Sequence, residues 1–424
     1  MNALRVGLVV SEVVSRSEEN NGRYPERAVK ALIAAGEVDM VAFPENFRQA
    51  ATQGGVTEVA RSLADELGVP VLTGVLCEDE RMQCAGYWNP SPSRGETRQH
   101  FYAKHATSVR LAYELANYKA IRDDMFTPIR LNGRNIGVQL CHDMFFGLVS
   151  AHWKMRGADV LFDLTGSNVN LSKWTNVAAA RSLEYDVPFL CTMGHWRFMK
   201  SNSARSFAYR SGRALRSVKT AGSAKDGRVT VFDIGGPLDE VAAGSDDQEF
   251  TEQRYSNIRV ALNAPGASAD IHVGRDGTVD GKPSAKAPGW RAFKIKGEEV
   301  GVLPLKLAQL KDALSIHRAE VRESPFAHHI VAYVGNDDDL EPGAALALAK
   351  LRAIEHRMAI AILTPKTREM IKTNRYKNIQ RFHHEGGVFG LDPMFLRGTY
   401  GYVPESGTQN IRREFIDDYR ALRP

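Results

Sequence analysis

The chain has 424 residues, 43% of them hydrophobic and 25% charged, with a formal net charge of +5. That length buries a large core and suggests more than one unit, and so small a charge gives no electrostatic case for nucleic acid. No stretch approaches the roughly 20 apolar residues that span a bilayer, and the start "MNALRVGLVVSEVV" lacks the basic head, long apolar run and cleavage site of a signal peptide, so a cytoplasmic location is expected. The four cysteines, Cys77, Cys84, Cys141 and Cys191, are scattered. They fit neither a disulfide framework nor a paired zinc motif, and reduced thiols with no metal are expected.

Apolar runs and turn signals alternate along the chain in an αβ rhythm. Leu4 to Val10 reads as a strand, "YPERAVKALIAAG" as a helix ended by Gly36, and "VDMVAF" as a strand running into "PEN". A helix follows from about Gly55 to Leu67, then the strand "VPVLTGVL" and a hairpin over "GYWNPSPSRGETRQHFYAKH". "LNGRNIGVQL" is a hairpin entering a buried strand, and "FGLVSAHWKMRG" has helical spacing up to Gly157. "ADVLFDL", "LSKWTNVAAARSLEYD" and "VPFLCTMG" read as strand, helix and strand. This order predicts an α/β fold with mixed sheets and helices on their faces. From Trp196 to Arg228 nine Lys or Arg stand against one acid, Asp226, which is read as a solvated loop with basic edges rather than a nucleic-acid platform.

The second half echoes the first. "IRLNGRNIGV" (Ile129 to Val138) matches "FKIKGEEVGV" (Phe293 to Val302) without a gap. Next in order, "ADVLFDLTG" in the first half stands opposite "HHIVAYVGN" in the second, and Ala178 to Thr192 and Ala347 to Thr364 each carry Arg-x-x-Glu and then a strand. A diverged partial duplication is expected, with Leu305 opposite Cys141 and no nucleophile in the second copy. The boundaries expected are residues 1–264 for a catalytic domain, 265–398 for a degenerate αβ segment and 399–424 for a tail.

Three reactive residues stand at strand ends, where αβ sheets converge on pockets: Glu45 after "VAFP", Lys104 after "HFYA" and Cys141 after "IGVQL". Singly, each is ordinary: a turn carboxylate, a surface charge, a small buried hydrophobe. Together, in the segments "DMVAFPENF", "GETRQHFYAKH", "IGVQLCHDMFF", "RGADVLFDLTGSN" and "AAARSLEYDVPFLCTMG", residues 4 to about 235 resemble the nitrilase, or carbon–nitrogen hydrolase, superfamily. The resemblance implies an αββα sandwich and a Glu45, Lys104, Cys141 triad without cofactor, acting on a small-molecule amide or N-carbamoyl compound through a thioester. It also implies Glu114 as a second glutamate near Lys104, His142 as an oxyanion donor through its backbone N–H, Ser167 or Asn168 in the pocket, and a homo-oligomer. The Pro-Glu and the arginine that the family places after the cysteine are missing from "GLVSAHW". The second segment is expected to extend or replace the usual partner contact.

The chemistry is consistent with those roles. Cleaving an amide needs a nucleophile, a base and positive charge at the oxyanion; a cysteine at a helix start near a lysine is expected to favour its thiolate. A Cys141–His142 dyad and a zinc site from Cys141, His142 and Asp143 are both rejected, because adjacent side chains diverge. The side chain of His142 is therefore expected to have no fixed role, and Asp143 to bond loop amides. Acyl transfer to an amine and a non-catalytic scaffold are the competing readings. Polyanion binding by residues 196–228 is a third and would show steep salt dependence.

Overall fold

In a computed structural model of the chain the residues divide into a first unit, Met1–Ala243, and a second, Gly244–Pro424. The described residues are 4–13, 24–79, 82–105, 123–145, 147–166, 171–196, 204–223 and 227–238 of the first, and 260–262, 271–274, 276–279, 289–295, 297–312, 328–334, 348–349, 351–352, 359–362 and 387–389 of the second.

The first unit contains β1 (Arg5–Val13), α1 (Glu26–Ala34), β2 (Met40–Ala42), β3 (Arg48–Ala50), α2 (Gln53–Leu67), β4 (Val71–Cys77), β5 (Met82–Trp88), β6 (Gln99–Ala103), β7 (Ile129–Leu131) and β8 (Arg134–Leu140). It continues with α3 (Gly147–Met155), β9 (Val160–Thr165), α4 (Leu171–Glu184), β10 (Phe189–Trp196), β11 (Phe207–Arg210), β12 (Arg213–Ala214), β13 (Ser217–Ser223) and β14 (Gly227–Asp233). The strands form two mixed layers. One runs β6-β5-β4-β2-β1-β14-β13, with β3 also on β4; the other runs β7-β8-β9-β10-β11-β12. β1 belongs to both, pairing with β14 and β2 along Arg5–Val10 and then with β10 at Ser11–Val13.

β4 and β9 are buried at every position, as strands covered on both faces must be, by the facing sheet within and helices without. α2 shows why a helix lies there. Thr52 caps it by accepting the Gly55 amide, Gly68 ends it in a left-handed conformation (φ 72°), and Val56, Ala60, Leu63, Ala64 and Leu67 form one buried stripe. Each buried Val or Leu of such a stripe stabilises by about 1.5–3 kcal/mol. With α1 and α2 on one sheet and α3 and α4 on the other, the unit is the expected αββα sandwich.

The basic stretch differs from its reading as a loop. Where described it is β11 to β14, and its charges serve the fold: Arg210 donates to the Ile234 and Gly236 carbonyls, Arg228 to that of Ala204, and Lys219 pairs with Glu37 at 2.8 Å.

The second unit contains β15 (Val260–Leu262), β16 (Ile271–Val273), β17 (Arg291–Ile295), β18 (Glu298–Lys306), β19 (His328–Val334), β20 (Ala359–Ile362) and β21 (Gly387–Phe389). β15 and β16 pair in parallel, and the others form a sheet in the order β17-β18-β19-β20-β21. Its directions are antiparallel, parallel, parallel and antiparallel. The same sequence of directions runs through β7-β8-β9-β10-β11. The hairpin registers agree as well, Ile129 facing Ile136 as Phe293 faces Val300. Among the described residues no helix is long and apolar enough to cross a membrane.

Candidate active site

Glu45 sits just past β2, where the chain keeps to β4 through Phe43 N–H to Leu72 O (2.8 Å) and Phe47 N–H to Gly74 O (3.0 Å). Phe43 and Phe47 stack at 4.4 Å, and Asn46 between them takes a left-handed φ of 56°. The arc so formed crosses Gly74, where a Cβ would stand 2.4 Å from Glu45 Cα. Only glycine lets the backbone come this close. The Glu45 carboxylate accepts from Lys104 Nζ at 2.7 Å and from the Gly166 N–H at 3.0 Å, with the lysine and glutamate side chains 2% and 6% exposed.

Lys104 follows β6 and is fixed by its neighbours. Asp143 accepts from the His105 N–H (3.0 Å), the Tyr102 hydroxyl (2.9 Å) and the Leu140 N–H (3.1 Å), so one buried carboxylate grips both flanks of Lys104 and the residue before Cys141. This extends the expected role of Asp143 from its own turn to the neighbouring strand end. The single proton of the Tyr102 hydroxyl goes to Asp143, so the His105 Nδ1 at 2.8 Å donates to that oxygen. Burial, and secondarily the charge of His152, pull His105 down to about 3. It is a neutral imidazole at ordinary pH.

Cys141 ends the approach from the other sheet. It is the first residue of a 3₁₀ turn, Cys141–Phe145, directly after β8, and its backbone is left-handed at φ 54°, an uncommon conformation for a residue with a Cβ. α4 holds the turn from outside: buried Arg181 donates through Nε to Met144 O at 2.9 Å while pairing with Glu184 at 2.6 Å, and the Tyr185 hydroxyl donates to Gly147 O at 2.7 Å. Burial pushes the Cys141 thiol well up, with the Glu45 charge adding to it; Lys104 and the Gly166 N–H pull the other way. Burial is the largest influence on Lys104 and acts to lower it, but Glu45, by charge and hydrogen bond, together with Cys141 and Asp143 outweighs it and the net direction is up. The resting arrangement is thus a charged Glu45–Lys104 pair beside a neutral thiol. The expected bias toward thiolate is not met, because desolvation exceeds what the lysine and the start of the turn supply.

The divergence on which the rejection of a Cys141–His142 dyad rested is not met. Cys141 Sγ and His142 Nδ1 are 3.3 Å apart. Divergence of adjacent side chains holds for extended chain, and here the left-handed φ and the turn swing both side chains to the same side.

Sequence reasoning passed over Asp163, an acid inside the otherwise apolar "VLFDLT". It is fully buried, accepts from the Thr165 hydroxyl, and is pushed well up by burial first and then by the charges of Asp143 and Glu45. Thr165 in turn accepts from Trp174 Nε1 at 3.0 Å, and Cys191 Sγ lies 3.6 Å from both Asp163 and Thr165. The signal was available, since a charge in a strand covered on both faces needs a reason. Glu114, Ser167 and Asn168 lie outside the described residues. Among the described residues no three His, Cys, Asp or Glu side chains cluster so as to hold a metal ion.

No protein-family model matches the chain. No curated protein matches it either. Solved structures do. A carbon–nitrogen hydrolase from Helicobacter pylori G27 is 14% identical over 55% of this chain and 89% of its own, with a TM-score of 0.37. An amidase from Nesterenkonia sp. AN1, seen with the acetamide moiety of fluoroacetamide covalently added at its active-site cysteine, is 12% identical over 54% and 89%, at 0.38. A CN-hydrolase superfamily protein from Xanthomonas campestris, with an arsenic adduct in its active site, is 17% identical over 55% and 91%, also at 0.38.

Proposed function

We propose that the first unit is a cysteine hydrolase of a non-peptide C–N bond, acting on a small linear amide or N-carbamoyl compound through a thioester on Cys141. The observation that carries this reading is the convergence of a buried Glu45–Lys104 ion pair with a buried, backbone-strained thiol at strand ends contributed by both sheets.

Glu45 takes the thiol proton as Sγ attacks the carbonyl carbon, and Lys104 with the His142 backbone N–H stabilises the oxyanion that forms. Collapse breaks the C–N bond, and the proton held by Glu45 passes to the leaving amine. Glu45 then removes a proton from water, whose oxygen displaces Sγ and releases the acid. Glu114 supports Lys104 and substrate, and Ser167 or Asn168 lines the pocket, in the roles the family resemblance implies. Acyl transfer to an amine differs only in the nucleophile that resolves the thioester.

The test is ammonia release from a panel of linear amides and carbamoyl compounds, with intact-mass analysis of a Glu45→Gln variant that slows deacylation. Turnover lost in Cys141→Ala and an acyl mass on Cys141 are expected; equal turnover by the alanine variant excludes the mechanism.

The second unit we read as a diverged copy of the catalytic half without a nucleophile. Its strand order, directions and hairpin register support this, as does one further detail. Helical, buried Arg352 donates through Nε to Leu310 O at 3.1 Å, in the 3₁₀ turn Leu307–Lys311 that follows β18. Arg181 and Met144 make the same bond at the fourth residue of the turn that follows β8. A homo-oligomer remains part of the proposal and is checked by light scattering.

A further inference from the structure

The contact between Cys141 Sγ and His142 Nδ1 has no place in the scheme above, where His142 lends only its backbone. Three observations make it more than a passing approach. First, the His142 ring is held. It meets the Trp174 ring edge-on (5.5 Å, 84°) and the Phe145 ring at 5.5 Å, and those two meet each other at 4.8 Å and 87°. Trp174 is itself fixed by its Nε1 bond to Thr165. Second, each Glu45 oxygen already has a donor, Lys104 Nζ on one and the Gly166 N–H on the other. The neutral thiol at rest has His142 Nδ1 at 3.3 Å, within hydrogen-bond reach of sulfur. Third, the approach goes with the uncommon φ of 54° at Cys141, a conformation that persists where the surroundings fix it.

We propose that the His142 imidazole is a second proton partner of the Cys141 thiol, activating the nucleophile alongside Glu45. The S–H bond breaks as Nδ1–H forms, giving a thiolate beside an imidazolium; as the tetrahedral intermediate collapses and the C–N bond breaks, the imidazolium gives that proton to the leaving nitrogen. Glu45 then serves mainly the water step, for which its bonds to Lys104 and Gly166 already orient it. Among the described residues, the groups that face the sulfur include Glu45 beyond β2, Lys104 beyond β6, Asp163 of β9 and the Gly166 amide, and those against the imidazole include Phe145 and Trp174.

The proposal deepens the reading of Cys141 as nucleophile, yet its test needs no amide substrate. The full-length protein is treated with iodoacetamide across pH, and the rate of S–C bond formation at Cys141, with loss of iodide, is followed by intact mass against a Cys141→Ala control. A coupled Cys–His pair gives two rises in rate, one in the imidazole range of about pH 5 to 8 and one where the remaining proton leaves the pair. Wild type and Glu45→Gln are expected to show both. His142→Phe and His142→Asn are expected to keep only the second, with the rate at pH 7 down about tenfold. Asparagine preserves hydrogen bonding without titrating, so the proposal does not hang on a variant that fails to fold. A first rise that survives in both His142 variants, or that vanishes in Glu45→Gln, overturns it. Absence of turnover on every amide, with both rises intact, sinks amide hydrolysis and leaves the pair standing.

Discussion

The sheet β7-β8-β9-β10-β11 and the sheet β17-β18-β19-β20-β21 share order, direction and hairpin register, and each buries an arginine against the turn that follows its second strand. They part at one place. β8 stops at Leu140 after seven residues and the chain turns through a left-handed Cys141, whereas β18 runs nine residues to Lys306, still paired with β19, before its turn begins at Leu307. The turn thus puts Leu307, not the ungapped counterpart Leu305, where the first unit has Cys141. A sheet of this kind is built in the second unit without a left-handed elbow at that turn, so the fold by itself does not demand the conformation of Cys141.

The largest effect that separates the two is expected at the turns. Cys141→Ala should lower kcat by about 10³-fold or more, while Leu307→Cys should add neither turnover nor a second fast-alkylating thiol. Activity gained by Leu307→Cys would break the comparison. Next comes the support for the proposed general base: a Cβ at Gly166 would stand 2.6 Å from Glu45 Oε2, so Gly166→Ala should cost about 10²-fold in kcat through misplacement. The test is kcat against KM, and the drop is expected in kcat.

The paired arginines sharpen the comparison further. Arg181→Ala abandons Met144 O and the buried Glu184, and should cost about 3 kcal/mol in urea unfolding together with a fall in turnover. Arg352→Ala abandons Leu310 O and should cost about 2 kcal/mol with kcat unchanged. Equal losses of turnover in both would end the view that only one turn is catalytic.

The smallest expected effect concerns pH. His105, at about 3 when folded, lies below its ordinary value of about 6.5, so the unfolded chain binds the extra proton. Stability from this residue is full above about pH 6.5 and is lost as pH falls from there toward about 3. His105→Gln should flatten that part of the stability–pH curve; an unchanged slope would show that the slope lies elsewhere.

Much of this was legible in the sequence, for physical reasons. Strands such as "VLTGVLC" announce themselves because both faces are covered, and α2 because its apolar residues repeat at helical spacing between Thr52 and Gly68. Glu45, Lys104 and Cys141 could be picked out because strand ends converge. Two things were hidden. β11 to β14 carry basic residues that bond carbonyls of neighbouring segments, and composition cannot distinguish those from solvated charge. The meeting of Cys141 with His142 depends on a single backbone torsion, which spacing along a sequence does not encode.

The double membership of β1 bears on how the protein is made. Ser11 pairs with Gly194, and Val10 with Arg228. Strand β1 must therefore wait for almost the whole of the rest of the first unit to be synthesised before two of its partners exist, and closure across such separations is slow. Until then Glu45, Lys104 and Cys141 sit on sheets that β1 has not yet joined. Competence should arrive in one step with β14, and nascent chains that stop before Gly227 should be inert.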